Sequence, residues 1–259
     1  MSERRFFVQQ IPTVGAELQL DASTARHLYV LRIKPNAILE LFDASGRQAQ
    51  AELLSLRETD ARCRVLSELA KTHEISRLVL VQCLPKGSKL ELGVRMATEL
   101  GVSAIHLAIS ERTVSRPVQS RHDSRHERLL RIVQEASEQA QRHTLAEIVP
   151  AAPLIEAAAR APSHARKVVF WECSNLSLDG AFQWDDTQEA WVVVGPEGGL
   201  SKDEIQALKT LGYMPHALGD TVLRVETAVP VALALIADRL GMWGNGPRGA
   251  LLKRHREPC

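Results

Sequence analysis

Two short segments carry the residue types that chemistry needs. In the first, the apolar run Val192-Val193-Val194 leads directly into Gly195-Pro196-Glu197-Gly198-Gly199-Leu200. Three glycines around one acid let the backbone come close to a bound ligand and leave N–H groups free to meet it. The spacing is neither the GxGxxG of a dinucleotide site nor a phosphate loop closed by Lys-Ser/Thr. A plain strand-to-helix turn would account for only one of these glycines. The second segment is Leu218-Gly219-Asp220-Thr221-Val222-Leu223-Arg224-Val225-Glu226-Thr227-Ala228. Here a glycine turn precedes two opposite charges, Arg224 and Glu226, at the mouth of an apolar stretch where charge is costly unless it serves a purpose. The competing reading is a helix start, with Glu226 at the positive helix end and Thr227 bonding to it.

The elements that must position these segments alternate between strand and helix from residue 77 onward. Residues 77–84 and 104–109 read as strands, and 167–171 and 191–194 as strands of buried type. Ser88-Lys89-Leu90-Glu91 and Ser201-Lys202-Asp203-Glu204 have the spacing of capping boxes, each opening a helix. The first of these helices puts Leu90, Val94, Ala97 and Leu100 on one face, and Gly101 stops it. Residues 123–142 and 153–160 predict two more helices, and 227–240 a last one that is apolar on nearly every face. That last helix is expected to be buried on all sides, with Pro230 tolerated because it falls in the first turn. The alternation points to an α/β domain with a mostly parallel sheet.

Residues 4–67 follow a different pattern. Short strands are expected at 5–9, 17–20, 37–42, 48–56 and 61–66, with the turn Asp43-Ala44-Ser45-Gly46 and one helix at 23–31. A small barrel or curled sheet is the natural arrangement for so many short strands. The division expected is a first domain over 1–70, a linker at 71–76, an α/β domain over 77–243 and a mobile basic tail at 244–259.

The 259 residues carry a formal net charge of +1, so attraction to a nucleic acid must come from local clusters. One cluster holds Arg112, Arg116, Arg121, Arg125, Arg128 and Arg131, although such a run also suits a solvated helix face. The four cysteines, at 63, 83, 173 and 259, form no CxxC pair and no Cys/His ligand spacing. Reduced thiols and no metal are expected. No leader peptide is read at the amino terminus, and the apolar stretch 229–240 is too short to span a bilayer, so a cytoplasmic location with no membrane partner is expected.

Read in order, the motifs resemble one known family. They are Arg26-His27-Leu28-Tyr29-Val30-Leu31-Arg32, Lys86-Gly87-Ser88-Lys89-Leu90-Glu91, Glu99-Leu100-Gly101-Val102, Ser110-Glu111-Arg112 and Glu135-Ala136-Ser137-Glu138-Gln139 with Arg142. To these are added the Gly195–Gly199 loop and Leu218-Gly219 through Ala228. Together, over about residues 4–242, they resemble the bacterial methyltransferases that act on N3 of a uridine in the decoding region of 16S ribosomal RNA. The resemblance implies a PUA-like β-barrel followed by a SPOUT domain tied in a deep trefoil knot, a rare exception to the rule that chains are unknotted. It also implies a homodimer, S-adenosylmethionine as methyl donor with S-adenosylhomocysteine as product, and 16S ribosomal RNA or the small subunit as partner. Two positions depart from the family pattern: Met96 stands where a lysine is usual, and Val225 replaces a threonine of similar size.

The resemblance assigns roles. Val194, Gly195, Pro196, Glu197, Gly198, Gly199, Leu218, Gly219, Leu223 and Thr227 would hold the cofactor, mostly through backbone groups. The imide N3 must lose its proton as it attacks the sulfonium methyl, so Arg224 would stabilise the developing anion, and Glu226 would orient Arg224 or accept the proton. No metal is needed, because the sulfonium supplies the electrophile. Arg5, Arg32, Lys86, Lys89, Arg112 and Arg142 would position the RNA backbone. His27 would stack on or bond to RNA, although a lone histidine is more often a packing residue. Three other readings are weighed: a SPOUT enzyme with a different RNA target, against which the Arg26–Arg32 motif counts; a noncatalytic ribosome-assembly factor, which would be expected to lack the glycine loop or the Arg224/Glu226 pair; and a nucleotide-dependent oxidoreductase, which would need a dinucleotide loop that is absent.

Overall fold

The computed structural model describes residues 5–70, 77–114, 122–174, 176 and 189–242. The expected linker 71–76, the tail 244–259, and Arg116 and Arg121 of the arginine cluster lie outside the described residues. The chain falls into two compact units, each described by itself: residues 1–75 with 134–145, and 76–133 with 146–259.

In the first unit, strands β1 (Arg5–Val8), β2 (Glu17–Leu20), β3 (Ile38–Asp43), β4 (Gln48–Leu56) and β5 (Ala61–Glu68) form one curled sheet, a half-barrel in the order β1-β3-β4-β5-β2. Only β1 and β3 run parallel. Alternation is clearest in β5, where Ala61, Cys63 and Val65 face the core while Arg62 and Arg64 face out. Two register shifts in the β4–β5 ladder bend the sheet. Helix α1 (Ala22–Val30) lays Leu28 on the resulting core with Phe6, Leu41 and Leu53. It starts one residue earlier than expected because the Asp21 carboxylate caps it, accepting from the Thr24 N–H at 2.8 Å. The turn after β3 forms as expected, its Asp43 carboxylate accepting from the Ser45 and Arg47 backbones.

The second unit is built on a six-stranded, wholly parallel sheet in the order β11-β9-β10-β6-β7-β8. Its strands are β6 (Leu78–Cys83), β7 (Ala104–Ile109), β8 (Glu147–Pro153), β9 (Arg166–Phe170), β10 (Ala190–Val194) and β11 (Met214–His216). The helices are α2 (Lys89–Glu99), α3 (His122–Gln139, which passes into the first unit at residue 134), α4 (Leu154–Ala159), α5 (Lys202–Thr210) and α6 (Val225–Arg239). β6 and β10 lie side by side in the middle and every residue of both is buried, which is why they read as apolar runs, broken only by Gln82. The two strands not anticipated, β8 and β11, are the sheet edges, and both contain proline.

Three expectations are corrected. Ser88 makes no side-chain cap; its ψ of 0° keeps it out of the extended cap geometry, and Glu91 N–H bonds to the Ser88 carbonyl instead. Helix α6 begins at Val225 rather than Thr227, so Pro230 sits in its second turn and supplies no N–H to the Glu226 carbonyl. Nor is α6 buried on all sides: Val229, Leu233 and Ile236 are buried, toward α2, β6 and β10, while Leu235 is 40% exposed.

Candidate active site

The carboxyl end of β10 opens the site. Gly195 is packed so closely that a Cβ there would stand 3.0 Å from the Leu200 side chain. A backbone turn follows, closed by the Gly199 N–H on the Pro196 carbonyl at 2.9 Å. Gly199 has φ +68°, and a Cβ there would lie 2.7 Å from the Glu172 carboxylate. Both conditions favour glycine. The loop is braced from outside by Arg112, whose Nη1 donates to the Gly198 carbonyl at 2.8 Å. Its exit is a complete capping box: Ser201 Oγ accepts from the Glu204 N–H, and the Glu204 carboxylate accepts from the Ser201 N–H. The other oxygen of Glu204 accepts from the Glu111 N–H at 2.8 Å, tying in the end of β7.

The second segment faces this loop across an open cleft with a cavity volume of about 90 Å³. Val194, Gly195, Pro196 and Gly199 line one side, and Leu218, Gly219 and Leu223 the other. Seven of the ten residues expected at the cofactor therefore border one cavity. Glu197, Gly198 and Thr227 do not border it. Val225, one of the two departures, is buried and borders the cleft as the first residue of α6. Phe170, Trp171 and Glu172, at the end of β9, complete the wall and were not anticipated. Strand order brings them in: β9 lies next to β10, and ligands of open parallel sheets sit beyond the carboxyl ends of neighbouring strands.

The two charges of the second segment are placed differently. Arg224 is the exposed cap residue of α6, and its carbonyl takes the Thr227 and Ala228 N–H groups at 2.9 and 2.7 Å. Glu226 turns to α2, its carboxylate 3.3 Å from the Lys89 ammonium. The same ammonium is 3.2 Å from Glu197 of the glycine loop, which also accepts from the Lys86 N–H at 3.1 Å. One lysine thus stands between two acids from two different segments. Its pairing with Glu197 first, and then with Glu226, pushes the Lys89 amine above its ordinary value. Burial pushes the Glu197 carboxyl up, but the backbone N–H groups of Glu197 and Lys86 and the Lys89 ammonium together hold it below the usual range. Glu226 is held low by its own backbone N–H first, then by Lys89, with Arg224 adding a smaller pull.

The residues expected to meet RNA are dispersed. In the first unit Arg32 is exposed, with φ +54°, while Arg5 is bound to Glu40 at 2.6 Å and to the Gln141 carbonyl at 2.5 Å. His27 sits edge-on to Phe6 with Nδ1 3.6 Å from Glu138, and Arg142 is buried. In the second unit Lys86 is exposed, and Arg112 and Lys89 are engaged as described. Among the described residues no group of three or more His, Cys, Asp or Glu could hold a metal ion, and no helix is long and apolar enough to cross a membrane.

A parallel sheet with two loops converging beyond β10 defines a class, and residues 72–237 match the family described as an RNA methyltransferase domain. The ribosomal RNA small subunit methyltransferase E of Mycobacterium bovis is 31% identical over 92% of both chains. That of Synechocystis is 34% identical over 90% of this chain and 76% of its own. The crystal structure of the Neisseria gonorrhoeae protein of that name, bound to S-adenosyl methionine, superposes with a TM-score of 0.82 at 30% identity, over 93% of this chain and 98% of that one. The chain belongs to the ribosomal RNA small subunit methyltransferase E family of RNA methyltransferases. Its half-barrel and parallel sheet are the PUA-like and SPOUT parts that the motifs implied.

Proposed function

We propose that the protein methylates N3 of a uridine in 16S ribosomal RNA, with S-adenosylmethionine as donor. The observation that carries this reading is the single cleft bordered by both glycine segments, with Arg224 and Glu226 on the segment that forms one wall. The cleft suits the donor: it is apolar along Phe170, Leu218 and Leu223, open to backbone at Gly195 and Gly199, and carries one acid, Glu172, for a cationic ligand. When bound, the donor supplies a methyl group on a positively charged sulfur.

The chain's own residues do the rest. Arg224 is exposed and presents a guanidinium fork suited to the carbonyl oxygens that flank N3 as negative charge develops. Glu226 stays ionised, and the neighbours that keep it so make it a weak base. Its part is electrostatic, keeping Arg224 turned toward the base, while the N3 proton passes to solvent. Arg32 in the first unit and Lys86 in the second, both exposed, hold phosphates. The first unit is the RNA-binding domain and the second the catalytic one. The work is cytoplasmic, where small subunits are assembled, and the protein acts as a homodimer that covers the Leu235 side of α6.

Methylation by the purified protein of small subunits, followed by mass mapping of the 16S RNA, tests the reading. A methyl at uridine N3, absent from RNA of cells lacking the protein, is expected. A methyl on ribose or on another base overturns it. Light scattering that finds an active monomer overturns the homodimer.

A further inference from the structure

The ammonium of Lys89 joins α2 to two segments that border the cleft. It starts α2, reaches Glu197 in the loop after β10 at 3.2 Å, and reaches Glu226 in the first turn of α6 at 3.3 Å. Glu197 is not held by Lys89 alone, since it also accepts from the Lys86 N–H. Two acids brought toward each other would repel; the ammonium between them turns that repulsion into a clamp. A lysine at this place in the sequence reads as a phosphate contact, but here its charge is already met by two carboxylates.

We propose that Lys89 is a positioning residue for methyl transfer rather than a contact to the RNA backbone: its ammonium locks the glycine loop to the first turn of α6 and so sets Glu226 and, through it, Arg224. This rests on the methyltransferase reading above and deepens it. The charged groups that face Glu226 are Lys89 from α2 and Arg224 from the preceding turn, with Glu197 beyond the ammonium. The strands against which α6 packs, β6 and β10, contain no charged residue. Removing the ammonium therefore leaves Arg224 as the cation acting on Glu226 among the described residues, and the protonation of Glu226 moves to higher pH.

The experiment compares Lys89→Met and Lys89→Arg with the wild type in three measurements. These are turnover at saturating RNA and donor across pH, RNA affinity across salt, and amide hydrogen exchange at 197–199 in the donor-free protein. For Lys89→Met the expected result is turnover lower by roughly tenfold to a hundredfold, the scale of a misplaced reacting group. The acid limb of the pH profile moves upward, the salt dependence of RNA binding stays unchanged, and exchange in the loop is faster. Lys89→Arg restores most of the turnover and the acid limb. Should Lys89→Met reduce the salt slope by about one and leave turnover at saturation intact, Lys89 is a phosphate contact and the proposal fails. The exchange measurement needs neither donor nor RNA. A loop that exchanges no faster in a folded Lys89→Met protein overturns the clamp, whichever base the wild type methylates. Glu197→Gln, which removes one end of the clamp and keeps the lysine, is expected to loosen the same amides and provides the reading if Lys89→Met does not fold.

Discussion

The two walls of the cleft are built to different standards. The loop at 195–200 is fastened at nearly every step: Gly199 to Pro196, Gly198 to Arg112, Glu197 to Lys86 and Lys89, and a full capping box at its exit. The segment at 218–223 runs in the open. Val222 is 82% exposed, Gly219 has φ +121°, and among the described residues no hydrogen bond ties this stretch to the rest. It ends at a helix start with no side-chain cap. The fastened wall presents backbone to a ligand, which requires that its groups already be in place. The open wall leads into Arg224. Free of such ties, it suits the role of a wall past which donor and product pass.

The contrast can be tested in order of effect. Arg224→Ala should lower turnover at saturating RNA by roughly a hundredfold or more, the scale of one lost transition-state donor, with RNA affinity little changed. Single-turnover kinetics measures it, and a loss of RNA affinity alone would make Arg224 a positioning residue. Gly199→Val, which forces a β-branched residue into φ +68° beside Glu172, should weaken donor binding by calorimetry at least tenfold in a protein that still folds. Gly219→Ala, at a positive φ but with open space around it, should cost less. If the two glycine substitutions weaken binding equally, the walls are not different in kind. Ser201→Ala should lower stability by about 1 kcal/mol in denaturant unfolding, whereas Ser88→Ala should change it by less than about 0.5 kcal/mol, because only Ser201 caps its helix.

A pH titration sharpens the same comparison. Glu197 and Glu226 both lie below the usual carboxylate range, so each contributes stability that is fully present above its unfolded pKa and is lost as pH falls through the lowered folded one. The fastened wall should therefore loosen in acid, and hydrogen exchange at 197–199 should rise there in wild type and less in Glu197→Gln.

What the sequence made legible follows from this as well. The fastened wall could be read because its signals are local: an apolar run, clustered glycines, and a serine three residues before a glutamate. The same four-residue spacing at Ser88 misled, since a capping box also requires an extended cap residue, and the Ser88 backbone, with ψ 0°, turns the wrong way. Phe170, Trp171 and Glu172 could not be read, because what makes them part of the site is the adjacency of β9 and β10, and strand order is not written in either strand. Lys89 was seen but given a different partner: a lysine after Gly-Ser looks solvated, and only the fold brings two distant acids to it. The edge strands β8 and β11 were hidden by prolines that weaken any strand signal. In the first unit the strands and the Asp43 turn were legible, because hairpin signals and alternation are short-range.

The strand order also has a consequence in time. β10 is inserted between β9, which precedes it, and β6, whose Leu78 pairs with Ala190 far along the chain. β6, β7 and β8 can pair in the order they are made, but β9 has no neighbour in the sheet until β10 or β11 arrives. Closing so long a loop is slow and brings no contact energy until it is complete. A growing chain that has reached residue 189 can have its first unit and half of its sheet, but of the cleft it has only Phe170, Trp171 and Glu172. The cleft that holds a methyl donor is thus built chiefly from the last part of this chain to be synthesised.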